Sequence, residues 1–239
     1  MKKLIVPIVM GALCVSFTSP LPNVAVATTG TIPVKITSRP VSPADAMYEK
    51  MELESSGLSK AAFMNAFRGY EKLLQSGKLE KENVLTICDF SKSSAEKRLF
   101  IIDVEKEELL VHTYVAHGKN SGGEFANSFS NKPESLQSSL GFFVTDQTYM
   151  GKHGLSLRMK GVDGRFNDKA YERTIVIHGA AYVNEGRIRN GGYMGRSWGC
   201  PAVSQEESAH IINTIKNGSC FFIYFPSQDY LNGSKILNG

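Results

Sequence analysis

The chain reads as a mainly β, α+β protein, and three observations predict this. From Val84 onward, short β-branched or aromatic runs recur between turn residues, the pattern of strands. Ahead of them, Ala44 to Ser76 carries apolar residues at helical spacing. One further helical stretch, Gln205 to Lys216, precedes the last strand-like run. The expected architecture is a β-sandwich or barrel with an N-terminal helical hairpin and one C-terminal helix.

The first residues stand apart. Lys2 and Lys3 precede an apolar run from Leu4 to Phe17, and Ala25-Val26-Ala27 follows as a small-x-small pattern. Such a run falls short of the roughly 20 residues that span a bilayer. Residues 1–27 are therefore expected to be a secretory signal peptide. No later stretch is apolar enough to span a membrane. Residues 28–43, with Pro33, Pro40 and Pro43, have the composition of a linker.

Residues 44–82 are expected to form a helical extension. Met47, Met51 and Leu53 recur near a helical period, and Gly57 interrupts them. Ser59 is placed to cap a helix from Lys60 to Ser76, with Phe63, Phe67, Tyr70 and Leu74 on one stripe and Gly77 as its stop. Residues 83–226 form the main domain. Its expected strands are Val84–Phe90, Arg98–Val104, Glu108–Val115, Gly141–Thr145, Leu155–Met159, Thr174–His178 and Cys220–Phe225. Lys106-Glu107 reads as a hairpin tip. Gly118 to Ser139 reads as a long loop, a type often tied to function. Ser204 caps the helix that begins at Gln205, and Asn217-Gly218 ends it. Residues 227–239 are a C-terminal tail.

The formal charge of +4 includes Lys2 and Lys3. Without that leader the chain is only mildly basic, and no Lys/Arg cluster marks a nucleic-acid surface. Beyond the leader three cysteines remain: Cys88, Cys200 and Cys220. Cys88 and Cys220 sit in apolar runs, where cysteine behaves as a small hydrophobe; whether they pair is open. Cys200 sits instead in Gly195-Arg196-Ser197-Trp198-Gly199-Cys200-Pro201.

Two side chains point to nucleophilic chemistry. His178 ends the apolar run Thr174 to Ile177, where a strand end can hold an imidazole rigidly. Cys200 lies in a glycine-flanked turn. A thiol attacks as a thiolate and an adjacent histidine can take its proton. Gly199 permits a tight turn that frees backbone N–H groups for an oxyanion. His117 and His153 are also beside glycines, but His153, His178 and Cys200 have no short metal-ligand spacing, so neither a metal nor a cofactor is expected.

Together the blocks Ser138-Ser139-Leu140-Gly141-Phe142-Phe143, His153-Gly154-Leu155-Ser156-Leu157, His178-Gly179-Ala180-Ala181-Tyr182-Val183 and Gly195 to Ala202 resemble the murein L,D-transpeptidase catalytic-domain-like branch of the cysteine-dependent L,D-transpeptidases. The resemblance covers about residues 84–226. It implies an exported protein of the periplasm or cell envelope that acts on peptidoglycan stem peptides. It implies Cys200 as nucleophile, His178 as base and the Gly179 carbonyl as the group orienting the imidazole. The amides of Gly199 and Cys200 are then the oxyanion donors. The acyl group, cleaved before a terminal D-alanine, passes to an amine in a 3→3 cross-link or to water.

Two positions depart from the family pattern. Trp198 stands where the larger family usually has histidine, and Ala202 where it often has arginine; no arginine follows Cys200. Carboxylate recognition then falls to an upstream guanidinium: Arg196, Arg173 or Arg158. Ser197, Trp198, Tyr182, Tyr193 and His153 are further candidates to line a substrate site. A sortase-like enzyme would need an arginine after the cysteine, and papain-like peptidases run cysteine before histidine. A non-catalytic wall-binding module is the alternative from another class.

Overall fold

Residues 42–194 and 196–239 are described in a computed structural model; the expected signal peptide and all but the end of the linker lie outside them. Ser42 caps α1 (Pro43–Lys50), its hydroxyl accepting from the Asp45 N–H at 3.1 Å. Ser59 caps α2 (Lys60–Gln75) in the same way, through Ala62 at 3.2 Å. Gly77 leaves α2 at a φ of 64°, where a side chain would be strained. Tyr48 of α1 meets Phe63 of α2 with ring centroids 5.5 Å apart, which closes the expected hairpin.

The strands follow as β1 (Val84–Asp89), β2 (Leu99–Asp103), β3 (Glu108–Thr113), β4 (Gly141–Gly151), β5 (Gly154–Gly161) and β6 (Val176–Gly179). A short helix α3 (Glu185–Arg189), the two-residue β7 (Ala202–Val203), α4 (Gln205–Ile215) and β8 (Cys220–Tyr224) complete the domain. They make one eight-stranded sheet in the order β3-β2-β1-β8-β4-β5-β6-β7. The β1–β8 and β6–β7 pairs are parallel and the rest antiparallel. Beyond β3, Ala116 bridges to Ala202 in β7, so the two ends of the sheet meet and it curls towards a barrel. β1, β2 and β8 are buried at every position, as strands covered on both faces should be.

Helix α2 packs on the sheet with very little clearance. A Cβ on Gly69 would lie 1.9 Å from Phe142 Cζ, so only glycine admits that ring, which itself stacks on Phe222. Arg98 is fully buried and, among the described residues, has no carboxylate partner. It donates to the carbonyls of Lys92 and Val115 and to His117 Nδ1, and lies over the Phe90 ring.

Several features differ from the sequence reading, the short helix α3 among them. β4 runs on to Gly151, because a bulge between Thr145 and Thr148 breaks the alternation that would reveal a strand. β6 starts at Val176 rather than Thr174, whose φ of 55° is left-handed. β7 is too short to leave a periodic signal. The stretch 227–239, expected as a tail, folds into α5 (Gln228–Gly233) and α6 (Lys235–Asn238). Buried Asp163 holds both helices, accepting from Tyr230 Oη at 2.7 Å and Ser234 Oγ at 2.8 Å. Cys88 and Cys220 lie on the paired strands β1 and β8 as free buried thiols.

Candidate active site

A cleft of about 800 Å³ opens where β4, β5 and β6 meet the turn before β7. His178 and Cys200 both line it. His178 reaches it from β6, paired in parallel with Ala202 just beyond the cysteine turn. This pairing fixes the two residues on adjacent segments although they are distant in sequence.

The imidazole is tied on one side. His178 Nδ1 lies 3.0 Å from the Gly179 carbonyl oxygen, and a carbonyl can only accept. Nδ1 therefore carries the proton and Nε2 is the basic nitrogen. Gly179 itself needs to be glycine, since a Cβ would lie 2.7 Å from Ser208 Oγ on α4. Burial holds the His178 pKa below its usual value; the bond to Gly179 opposes this, and His153 and Lys152 add to the depression. These effects favour the neutral ring, the form that accepts a proton.

The thiol is partly buried and donates to the Thr174 carbonyl at 3.6 Å. Burial pushes its pKa up, while the backbone of Val176 and the charges of Arg173 and Lys152 favour the thiolate. Thr174 is a β-branched residue at a φ of 55°, a strained conformation that turns its carbonyl to the sulfur.

The turn that carries the thiol is held from within. Ser197 Oγ donates to the Cys200 carbonyl and accepts from the Gly199 N–H at 3.1 Å. Ser197 N–H donates to the His117 carbonyl, and Ser138 Oγ to the Gly199 carbonyl. Gly199 has a φ of 123°, and a Cβ there would meet the Gln137 carbonyl at 2.8 Å. The Gly199 amide thus donates to Ser197, and the Ser197 hydroxyl is used within the turn, although the residue lines the cleft.

The arginines divide in the same way. Arg173 lines the cleft but donates to the Ser130 and Gln137 carbonyls, each at 2.6 Å, and to the hydroxyls of Ser135 and Ser139. Through these hydrogen bonds it clamps the long loop. Arg196 also lines the cleft, with Nη1 on the Gly122 carbonyl at 2.8 Å. Arg158 stays outside it, stacked over Tyr149 and Tyr171. His117 is buried behind the turn beside Arg98, its pKa pushed down to about 4 by burial and by that guanidinium.

Tyr182, Trp198 and His153 line the cleft, Trp198 being 68% exposed. Tyr193 lies under the Arg196 guanidinium, 5.9 Å from it. His153 stacks on His178 with centroids 4.5 Å apart. Burial and the nearby Cys200 push the Tyr182 phenol up to about 12. Lys152 and Thr174 line the cleft and were not singled out from the sequence. The available signal for Lys152 was its place between Gly151 and Gly154, a two-residue hairpin tip. Nothing local marks Thr174. Among the described residues, no three of His, Cys, Asp and Glu are grouped to hold a metal ion.

Comparison with known proteins places this geometry in context. The family described as L,D-transpeptidase catalytic domain matches residues 54–224. No curated relative matches the chain. Similar solved structures include an L,D-transpeptidase from Mycobacterium smegmatis, 13% identical over 60% of this chain and 59% of that one, with a TM-score of 0.38. Another is an L,D-transpeptidase from Xylanimonas cellulosilytica, 16% identical over 64% and 68%, with a TM-score of 0.35. A third is the helical cell shape determining protein Pgp2 from Campylobacter jejuni, 13% identical over 71% and 62%, with a TM-score of 0.37. The chain spans about three fifths of the length of the Mycobacterium smegmatis and Campylobacter jejuni proteins.

Proposed function

Because this chain belongs to the L,D-transpeptidase catalytic domain family, we propose that it transfers acyl groups of peptidoglycan stem peptides through a thioester on Cys200. The observation that carries this reading is the shared cleft: a histidine held as the Nε2 base lines the same cavity as the Cys200 thiol. The Cys200 sulfur attacks the carbonyl that precedes a terminal D-alanine, and its proton passes to His178 Nε2. The tetrahedral oxyanion collapses, the C–N bond breaks, and the leaving amine takes the proton from His178. The thioester remains. An amine from a second stem displaces sulfur to give a 3→3 cross-link, or water displaces it to give a carboxypeptidase product. Either way the thiol is regenerated.

The Gly179 carbonyl keeps the imidazole oriented through both proton transfers. With the Gly199 amide engaged, the Cys200 N–H is the oxyanion donor of the turn. Trp198 and Tyr182 supply apolar walls for the peptide. The leader at residues 1–27 directs the protein to the periplasm or cell envelope, where that substrate lies.

The test is covalent capture. A carbapenem, which acylates as the substrate does, adds once to the chain, on Cys200, by intact-mass spectrometry and peptide mapping. Cys200→Ala takes no adduct and releases no D-alanine from a stem tetrapeptide. An unmodified wild-type chain overturns the reading and favours a non-catalytic binding module. Fragments of sacculi digested after incubation separate cross-linking from hydrolysis.

A further inference from the structure

The cleft has one sign of charge. Lys152, Arg173 and Arg196 line it and, among the described residues, no Asp or Glu does, so it attracts an anion. Arg173 is engaged through both Nη atoms and Arg196 through Nη1. Arg173 makes four hydrogen bonds to the 130–139 loop. Arg196 binds the carbonyls of Lys119 and Gly122 through Nη1. Lys152 is different: among the described residues its side-chain partner is the Trp198 ring, with Nζ 5.1 Å from the centroid.

The backbone explains why Lys152 stands over the cleft. Gly151 and Gly154 are paired at the end of the β4–β5 ladder, leaving Lys152-His153 as a two-residue tip. Gly154 has a φ of 77°, which glycine adopts without strain. His153 lies on the His178 ring and anchors the tip above the base. The Lys152 charge acts on both Cys200 and His178, so the ammonium is within electrostatic reach of the reacting atoms. Ordering it costs little, since Trp198 already supports it by a cation–π contact.

We infer that Lys152, seated on Trp198, is the cation that recognises the free carboxylate of the residue leaving the peptide. This rests on the acyl-transfer reading and adds to it the side chain that holds the leaving residue. Lys152 is a substrate-binding residue of the hairpin tip, and Arg173 and Arg196 supply background potential.

Trp198 is the only tryptophan of the chain, so its emission reports on this cleft. The experiment titrates a stem tetrapeptide ending in D-alanine, and the same peptide as its C-terminal carboxamide, into Cys200→Ala protein. The free acid is expected to bind about tenfold or more tighter, the scale of one charge-assisted hydrogen bond. Adding Lys152→Gln brings the two ligands to within about twofold, and Lys152→Arg restores the preference. Circular dichroism and calorimetric titration confirm that Lys152→Gln is folded and that the loss is of binding rather than of signal. A preference that survives Lys152→Gln, a preference lost instead in Arg196→Gln, equal binding of acid and amide, or binding of neither overturns the inference. None of these needs turnover. Absence of a carbapenem adduct on Cys200 in the unaltered chain would defeat the acyl-transfer reading alone.

Discussion

His153 stacks face to face on His178, with ring centroids 4.5 Å apart and planes inclined by 23°. Nδ1 of His178 is held by Gly179, so the stack fixes the remaining freedom of the ring, its tilt. Two imidazoles so close cannot both be protonated without repulsion.

The pH profile of acylation follows from this. A base with a depressed pKa stays neutral until pH falls below that pKa. The acid limb of the acylation rate is therefore expected below 6.5, the ordinary histidine value. His153→Phe keeps the stack and removes one cause of the depression, so the limb moves up. The thiol is pushed the opposite way, and alkylation of Cys200 by iodoacetamide keeps rising above the ordinary cysteine range. An acid limb at or above 6.5 in the wild type contradicts this account.

Arg173 is expected to act on the loop before it acts on a ligand. Arg173→Lys keeps the charge but cannot form the fork that reaches Ser130, Ser135, Gln137 and Ser139. The variant should lose about 2 kcal/mol of stability. Hydrogen exchange should accelerate in residues 130–139 more than elsewhere. A change confined to substrate KM, with unchanged exchange, would contradict the clamp.

Gly199 is expected to tolerate no side chain. Gly199→Ala places a Cβ 2.8 Å from the Gln137 carbonyl, at a φ of 123° that L-residues avoid. Strain of about 1–3 kcal/mol should be relieved by movement of the turn, which displaces Cys200. Adduct formation should slow by at least tenfold while the far-ultraviolet circular dichroism stays unchanged, because the turn lies outside the sheet.

Gly69 tests the helix–sheet contact. Alanine gains about 1 kcal/mol of helix propensity. Here the added Cβ would lie 1.9 Å from Phe142, and overpacking costs about 1–3 kcal/mol. The clash should win, so Gly69→Ala is expected to lower the melting temperature. Phe142→Leu should recover part of the loss in a double-mutant cycle. A stabilised Gly69→Ala protein would show that the ring moves away freely.

Much of this protein was legible in its sequence because the causes are local. Strand runs such as Val84–Asp89 and Cys220–Tyr224 are dense in β-branched, aromatic and other apolar residues, and Ser59, Ser204, Gly57 and Gly77 carry their own punctuation. His178 at a strand end and Cys200 beside Gly199 are recognisable for the same reason. The commitments of the guanidinium donors were not legible, because their partners lie far along the chain. Arg173 finds Ser130 across 43 positions and Arg196 finds Gly122 across 74. Thr174 is turned left-handed although a β-branched residue resists it, and Lys152 is brought over Trp198 only when the β4–β5 hairpin folds across the cleft. Local propensity selects the elements and names the reactive side chains. Which donors remain free for a ligand is decided when the sheet closes, since most buried polar groups then take a partner the fold provides.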